Sequence, residues 1–436
     1  MSTEILVLVM FGCVLLGIFA GFPIAFVLTS IGFVFGYLEL GTRIFRMMPN
    51  VANGVMTDYI LVAVPLFVFM GCMLEESKVS EKAFDVLYQW IGHVRGGLAI
   101  ATIILSTLFA ACTGIVGASV TTMGLIALPA MKKHGYDPSL STGVVGAGGT
   151  LGILIPPSIM LILFAPMAGL SVIDLFASAM VPGLLLSACY IVYVFIRATI
   201  NPEMAPKSKG IPKEDKIPLM EAILIFAPFI LLILSVLGAI FFGIAAPTEA
   251  AGVGALGSII IAAAFKKLNW NVIQQSALTT VKISSMVIFI TIGAKIFTTT
   301  FFTVGGGRVI ERFVTGLGLG QTGLMIFVLF LVFILGMFID WIGILLIVVP
   351  ILMPILADFG IDTLWAGMLI VVILQSSFLT PPFAYTLFYI RGIAPAGITI
   401  QHIYKGVIPF IAIQLFVVIM SFVFPQLITW LPRALR

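Results

Sequence analysis

Two short stretches of the chain collect oxygen donors of the kind that hold a small hard cation. The first brings Thr113, Gly114, Gly117 and Ser119 together with Gly148, Gly149 and Thr150, just ahead of the pair Pro156-Pro157. The second brings Asp340 and Gly343 together with Gln375, Ser376, Ser377 and Thr380, just ahead of Pro381-Pro382. Proline breaks a helix and frees backbone carbonyls, and unwound backbone at membrane depth must line a protein cavity. Hydroxyls and free carbonyls are ligands for sodium, and neither group offers sulfur or imidazole for a transition metal. Any single glycine or serine here also reads as close helix packing. It is the repetition at matched positions that points to two cation sites.

The elements that hold these groups follow from composition. With 61% hydrophobic and only 9% charged residues, the chain cannot be a water-soluble globule, which carries about 25% charge. Long apolar runs separated by charges exclude a β-barrel, whose strands are short and alternate. The expected class is an all-α polytopic membrane protein. The N-terminal run is read as a retained first span, since its leading charge is Glu4 rather than a basic residue. Cys13, Cys72, Cys112 and Cys189 lack a metal or redox spacing and read as packing residues.

The chain repeats itself. At a constant shift of 225 residues, Pro129, Gly135, Asp137, Leu154, Pro156 and Pro157 fall on Pro354, Gly360, Asp362, Leu379, Pro381 and Pro382. Residues 1–199 form the first repeat, with an interrupted hairpin at 95–131, a broken span at 138–169 and a span at 172–198. Residues 200–217 are a Pro- and Lys-rich linker. Residues 218–436 form the second repeat, with a hairpin at 320–357, a broken span at 362–390 and a span at 403–430. Lys207, Lys209, Lys213 and Lys216 place the linker in the cytoplasm, as Lys132, Lys133, Lys266 and Lys267 place their loops. Five crossings per repeat then make the two repeats inverted, with about ten to eleven transmembrane helices in all. The first hairpin is re-entrant from the cytoplasm and the second from the periplasm.

Inverted repeats with broken helices are a secondary-transporter pattern. Charges at membrane depth are functional candidates. Asp340 lies in the second hairpin tip, where it either binds a cation or is a water-exposed carboxylate. Lys295 lies within a span and Glu249 begins its neighbour; they pair with each other or with another membrane protein. Arg391 either attracts a substrate carboxylate or snorkels to the surface. His93, His134 and His402 sit near predicted cytoplasmic ends and are not expected to be ligands. No GxxxxGK[ST] loop occurs, so an ATP-driven pump would need another subunit.

Four ordered motifs add a family. "GHVRGGLA" (Gly92–Ala99), "GTLGILIPPSI" (Gly149–Ile159), "AAPTEAAGVGAL" (Ala245–Leu256) and "FLTPPFAYTLFYIRGIAP" (Phe378–Pro395) resemble the large membrane subunit of tripartite ATP-independent periplasmic (TRAP) transporters, across essentially the whole chain. The resemblance implies a permease, not an enzyme, in the inner membrane of a bacterium or archaeon. It implies no cofactor beyond Na+ as the coupling ion, and import of an organic acid anion by an elevator motion. Sodium would sit in the two clusters, with substrate between them near Thr150, Thr380 and Arg391. Helices near Val79–Gly92 and Gly306–Leu319 would brace the hairpins as arms. Two partners are implied: a small four-helix membrane subunit, here expected as a separate chain, and a periplasmic substrate-binding protein. The alternative is a stand-alone sodium-coupled dicarboxylate symporter that needs no binding protein.

Overall fold

The structure, a computed structural model, describes residues 2–114, 116–207, 217–381 and 384–436. Lys209, Lys213, Lys216 and Pro382, used above, lie outside them. Among the described residues all regular structure is helical. Eight of the described helical stretches are long and apolar enough to cross a membrane, and five shorter apolar helices among the described residues accompany them. The chain is thus a multi-pass integral membrane protein.

The first half runs α1 (Thr3–Phe19), α2 (Ile24–Leu40), α3 (Ile44–Met56), α4 (Ala63–Glu76) and α5 (Val79–Ile91). It continues as α6 (Gly97–Thr113), α7 (Val116–Lys133), α8 (Pro138–Thr150), α9 (Ile159–Ala168) and α10 (Val172–Ile200). The second half runs α11 (Leu219–Phe241), α12 (Pro247–Ala264), α13 (Trp270–Thr303), α14 (Gly306–Gly316) and α15 (Gln321–Gly336). It ends with α16 (Trp341–Asp358), α17 (Thr363–Ser377), α18 (Tyr385–Ile393), α19 (Ile400–Val423) and α20 (Gln426–Ala434). The 225-residue shift carries both ends of α7 onto both ends of α16, and the first residue of α8 onto that of α17. Asp137 and Asp362 explain the last match: each caps its helix, accepting from Leu140 N–H and Trp365 N–H at 2.9 Å.

Packing repeats in the same way. α2 lies on α13 as α12 lies on α4, and α7 lies on α18 as α16 lies on α9. Each hairpin therefore leans on the broken span of the other half. α6 pairs with α7, and α15 with α16, as helical hairpins.

Helix α3 occupies a segment that lacks a long apolar run. It is amphipathic, with Ile44 and Val55 buried and Arg46 and Asn53 outward, so it needs only one apolar stripe. The single span expected at 403–430 is two helices, because Pro425 cannot continue α19 and α20 restarts at Gln426. The linker is tied down at both described ends. Asp137 N–H donates to Met204 O at 2.8 Å, and Ile217 N–H donates to the Gln89 amide oxygen at 2.9 Å.

Candidate functional site

Hairpin α6–α7 turns through Gly114, whose φ of +61° is left-handed and suits glycine. The turn brings the buried hydroxyls of Thr113 and Ser119 to 2.7 Å. Thr113 also lies 3.0 Å from Phe109 O, as donor to that carbonyl. Opposite them is the break between α8 and α9. A Cβ on Gly152 would sit 3.2 Å from Ser119 Oγ and 3.7 Å from Thr113 Oγ1, and one on Gly114 would sit 3.5 Å from Pro157 O. Thr113, Gly114, Ser119 and Gly152 thus form one tight oxygen-bearing contact.

The other members of the first cluster point elsewhere. Gly148 faces Ser106, Gly149 faces Val120, and Gly117 faces the ring of Tyr389. Thr150 turns to α19, where the Gln414 amide reaches it at 3.5 Å, and donates to Ala147 O. Which way these residues look depends on the rotation of α8 at its break, which no spacing argument supplies.

In the second cluster Ser377 meets the end of α15, since a Cβ on Gly336 would overlap it at 2.3 Å. Ser376, Ser377 and Thr380 donate to Ile373 O, Leu374 O and Ser376 O at 2.5–2.6 Å. A hydroxyl that gives its proton to its own helix keeps its lone pairs for another ligand. Gln375 is fully buried, and neither its Oε1 nor its Nε2 has a hydrogen-bond partner among the described residues. Such an amide costs about 1–3 kcal/mol unless something else meets it. Gly343 lies against Ile24 of α2 rather than the break. Asp340 is the N-cap residue of α16 and faces a cavity.

That cavity, of about 390 Å³, lies between the two hairpin tips. Gly114, Gly117 and Thr121 bound it on one side, and Asp340, Trp341 and Ile342 on the other. The breaks add Ile153, Ile159 and Phe378, with Tyr385 and Tyr389, whose rings meet edge-on at 5.2 Å. The wall is closed by α4, through Glu75 and Glu76, and by α13, through Thr279 and Val287. Thr122 on α7 donates to Glu75 at 2.7 Å.

Sequence reasoning missed Glu75 and Glu76. At the end of an apolar run, next to Lys78, they look like ordinary interfacial charges. Only packing turns Glu75 inward, half-buried, and sets the exposed Glu76 beside it along the cavity. Three carboxylates therefore line the cavity, and among the described residues no lysine, arginine or histidine does. Arg391 is exposed and outside the lining. Glu249 accepts from Ala246 N–H at 2.9 Å at the start of α12.

A cavity enclosed by two helical hairpins and two broken spans in a multi-pass chain defines a membrane transporter. Residues 8–427 match the family described as tripartite ATP-independent periplasmic transporter, DctM component, and the chain belongs to that family. It is 32% identical to the C4-dicarboxylate TRAP transporter large permease protein DctM of Pseudomonas aeruginosa, covering 84% of each chain. It is 28% identical to the protein of the same name from Vibrio cholerae, over 100% of this chain and 98% of that one. Its fold matches the Alcanivorax borkumensis YdaH transporter with a TM-score of 0.67 at 13% identity, over 92% of this chain and 96% of that one. The protein is thus a TRAP large permease component, and its relatives are transport permeases.

Proposed function

We propose that this chain imports an organic acid anion across the inner membrane, driven by a sodium gradient. The observation that carries the proposal is the acidic cavity between two oxygen-bearing tips. An organic anion entering a space lined by Glu75, Glu76 and Asp340, with no basic residue among its described lining, meets repulsion in a low-dielectric setting. Cations must enter with it. Sodium at Thr113, Ser119 and the carbonyls beside Gly152 offsets part of the charge. Sodium at Gln375, Ser377 and Thr380, near Asp340, offsets more. Gln375 in particular has a carbonyl oxygen to give.

The two halves act as inverted repeats, with the hairpins and broken spans α6–α9 and α15–α18 moving as one body past the scaffold of α2, α4, α12 and α13. Thr122 belongs to the moving body and Glu75 to the scaffold, so their hydrogen bond forms and breaks in each cycle. A periplasmic binding protein delivers the substrate, and a small membrane subunit completes the system, as the word tripartite in the family description suggests. The test is uptake by proteoliposomes of the purified membrane components with and without the binding protein. Uptake only with the binding protein is expected. Equal uptake without it would favour the stand-alone symporter.

A further inference from the structure

The geometry of the first break depends on which way the last turn of α8 faces. Successive helix residues point about 100° apart, and three in a row here meet three different helices. Gly148 abuts Ser106 of α6, Gly149 abuts Val120 of α7, and Thr150 reaches Gln414 of α19. The two glycines bring only backbone to their contacts, so the polar side chain of Thr150 is what can fix the rotation. Directly after it comes the turn 151–153, which carries Gly152. A rotation there would carry Gly152 away from Ser119 and Thr113. Lower down, α8 and α19 are already locked together, for Gly143 and Gly406 meet backbone to backbone with no room for a Cβ on either.

Gln414 is the one amide between Lys405 and the end of α19 at Val423, and it is fully buried, as are Thr150 and Tyr190. A buried amide is costly unless its polar atoms are met. The Thr150 hydroxyl gives its proton to Ala147 O at 2.8 Å, so toward Gln414 it can only accept. Nε2 therefore faces Thr150, at 3.5 Å. Oε1 is left without a hydrogen-bond partner among the described residues, and the hydroxyl of Tyr190, on α10, lies beside both side chains as the matching donor. The repeat gives this amide a counterpart. The shift of 225 residues carries Thr150 onto Gln375, so the second break has its amide on the broken span itself, while the first receives one from α19. We propose that Gln414 is a positioning residue for cation binding at the first break. Through Thr150 it sets the rotation of the last turn of α8, and with it the approach of Gly152 to Ser119 and Thr113.

This role rests on the sodium reading above, and the test separates the two. The purified membrane components are titrated with sodium in detergent, with potassium holding the ionic strength, and the rise in unfolding temperature gives a half-saturating concentration. Gln414→Met keeps size and burial but removes the amide, and should raise that concentration about ten-fold. Thr150→Val approaches the same contact from the other side and should do likewise. The double variant should be no worse than either single one, as for groups that act as a unit. Thr150→Ser, which keeps the hydroxyl, should recover most of the affinity that Thr150→Val loses. A lower starting unfolding temperature with unchanged sodium affinity in Gln414→Met would mean that Gln414 only packs, and overturns the proposal. Losses that add in the double variant also overturn it, since Thr150 would then act without Gln414. If the unaltered protein gains no stability from sodium, the sodium reading fails and the positioning role falls with it.

Discussion

Thr122 Oγ1 donates to Glu75 at 2.7 Å, and this one bond joins a hairpin helix to the helix that closes the cavity. Among the described residues it is a side-chain hydrogen bond between the two bodies that the proposed transport cycle would separate. Thr122→Val removes a hydrogen bond to a carboxylate, an effect of about 1.5 kcal/mol or less at this half-buried position. Labels on the exposed Leu125 of α7 and Leu256 of α12 would report the distance between the two bodies. The variant should shift the distance distribution several-fold toward the state in which α7 has left α4. An unchanged distribution would mean that the bond is incidental.

Asp340→Asn tests charge apart from fold. Asp340 makes no capping hydrogen bond through its side chain, and asparagine is as well accepted at that position, so α16 should start as before. The sodium concentration for half-maximal uptake should rise about ten-fold or more, as expected when a carboxylate leaves a cation's surroundings. Unaltered sodium dependence would take Asp340 out of the site.

Gly152→Ala tests the first tip. The added methyl would meet Ser119 Oγ at 3.2 Å and Thr113 Oγ1 at 3.7 Å, with no backbone clash. The protein should fold and lose sodium affinity by about ten-fold, since a shift of a few tenths of an ångström spoils ligand geometry. Gly71→Ala is a contrast, because its methyl would press on the Thr113 backbone at 2.8 Å. That variant should lose stability as well, measured as a lower unfolding temperature in detergent.

Arg391→Gln should leave uptake within about two-fold, because the side chain is exposed and outside the cavity lining. A loss of ten-fold or more in substrate affinity would return Arg391 to the substrate path.

What the sequence made legible was whatever backbone chemistry fixes locally. The aspartates at 137 and 362, each one residue ahead of a proline or threonine that starts a helix, set the register of α8 and α17. The Pro-Pro pairs marked the breaks. Illegible were the features that arise from rotation and packing. Thr150 and Gly343 stand in the right stretches but face Gln414 and Ile24. Glu75 and Glu76 gained their meaning only when α4 closed against the hairpins, and α3 was hidden because a surface helix needs no continuous apolar run.

The most direct measurement is uptake of the substrate by proteoliposomes holding the membrane components, with the binding protein present and an inward gradient of sodium or of potassium. The acidic cavity and its two oxygen-bearing tips predict accumulation with sodium and loss of at least ten-fold with potassium. Equal accumulation with either cation would contradict the account.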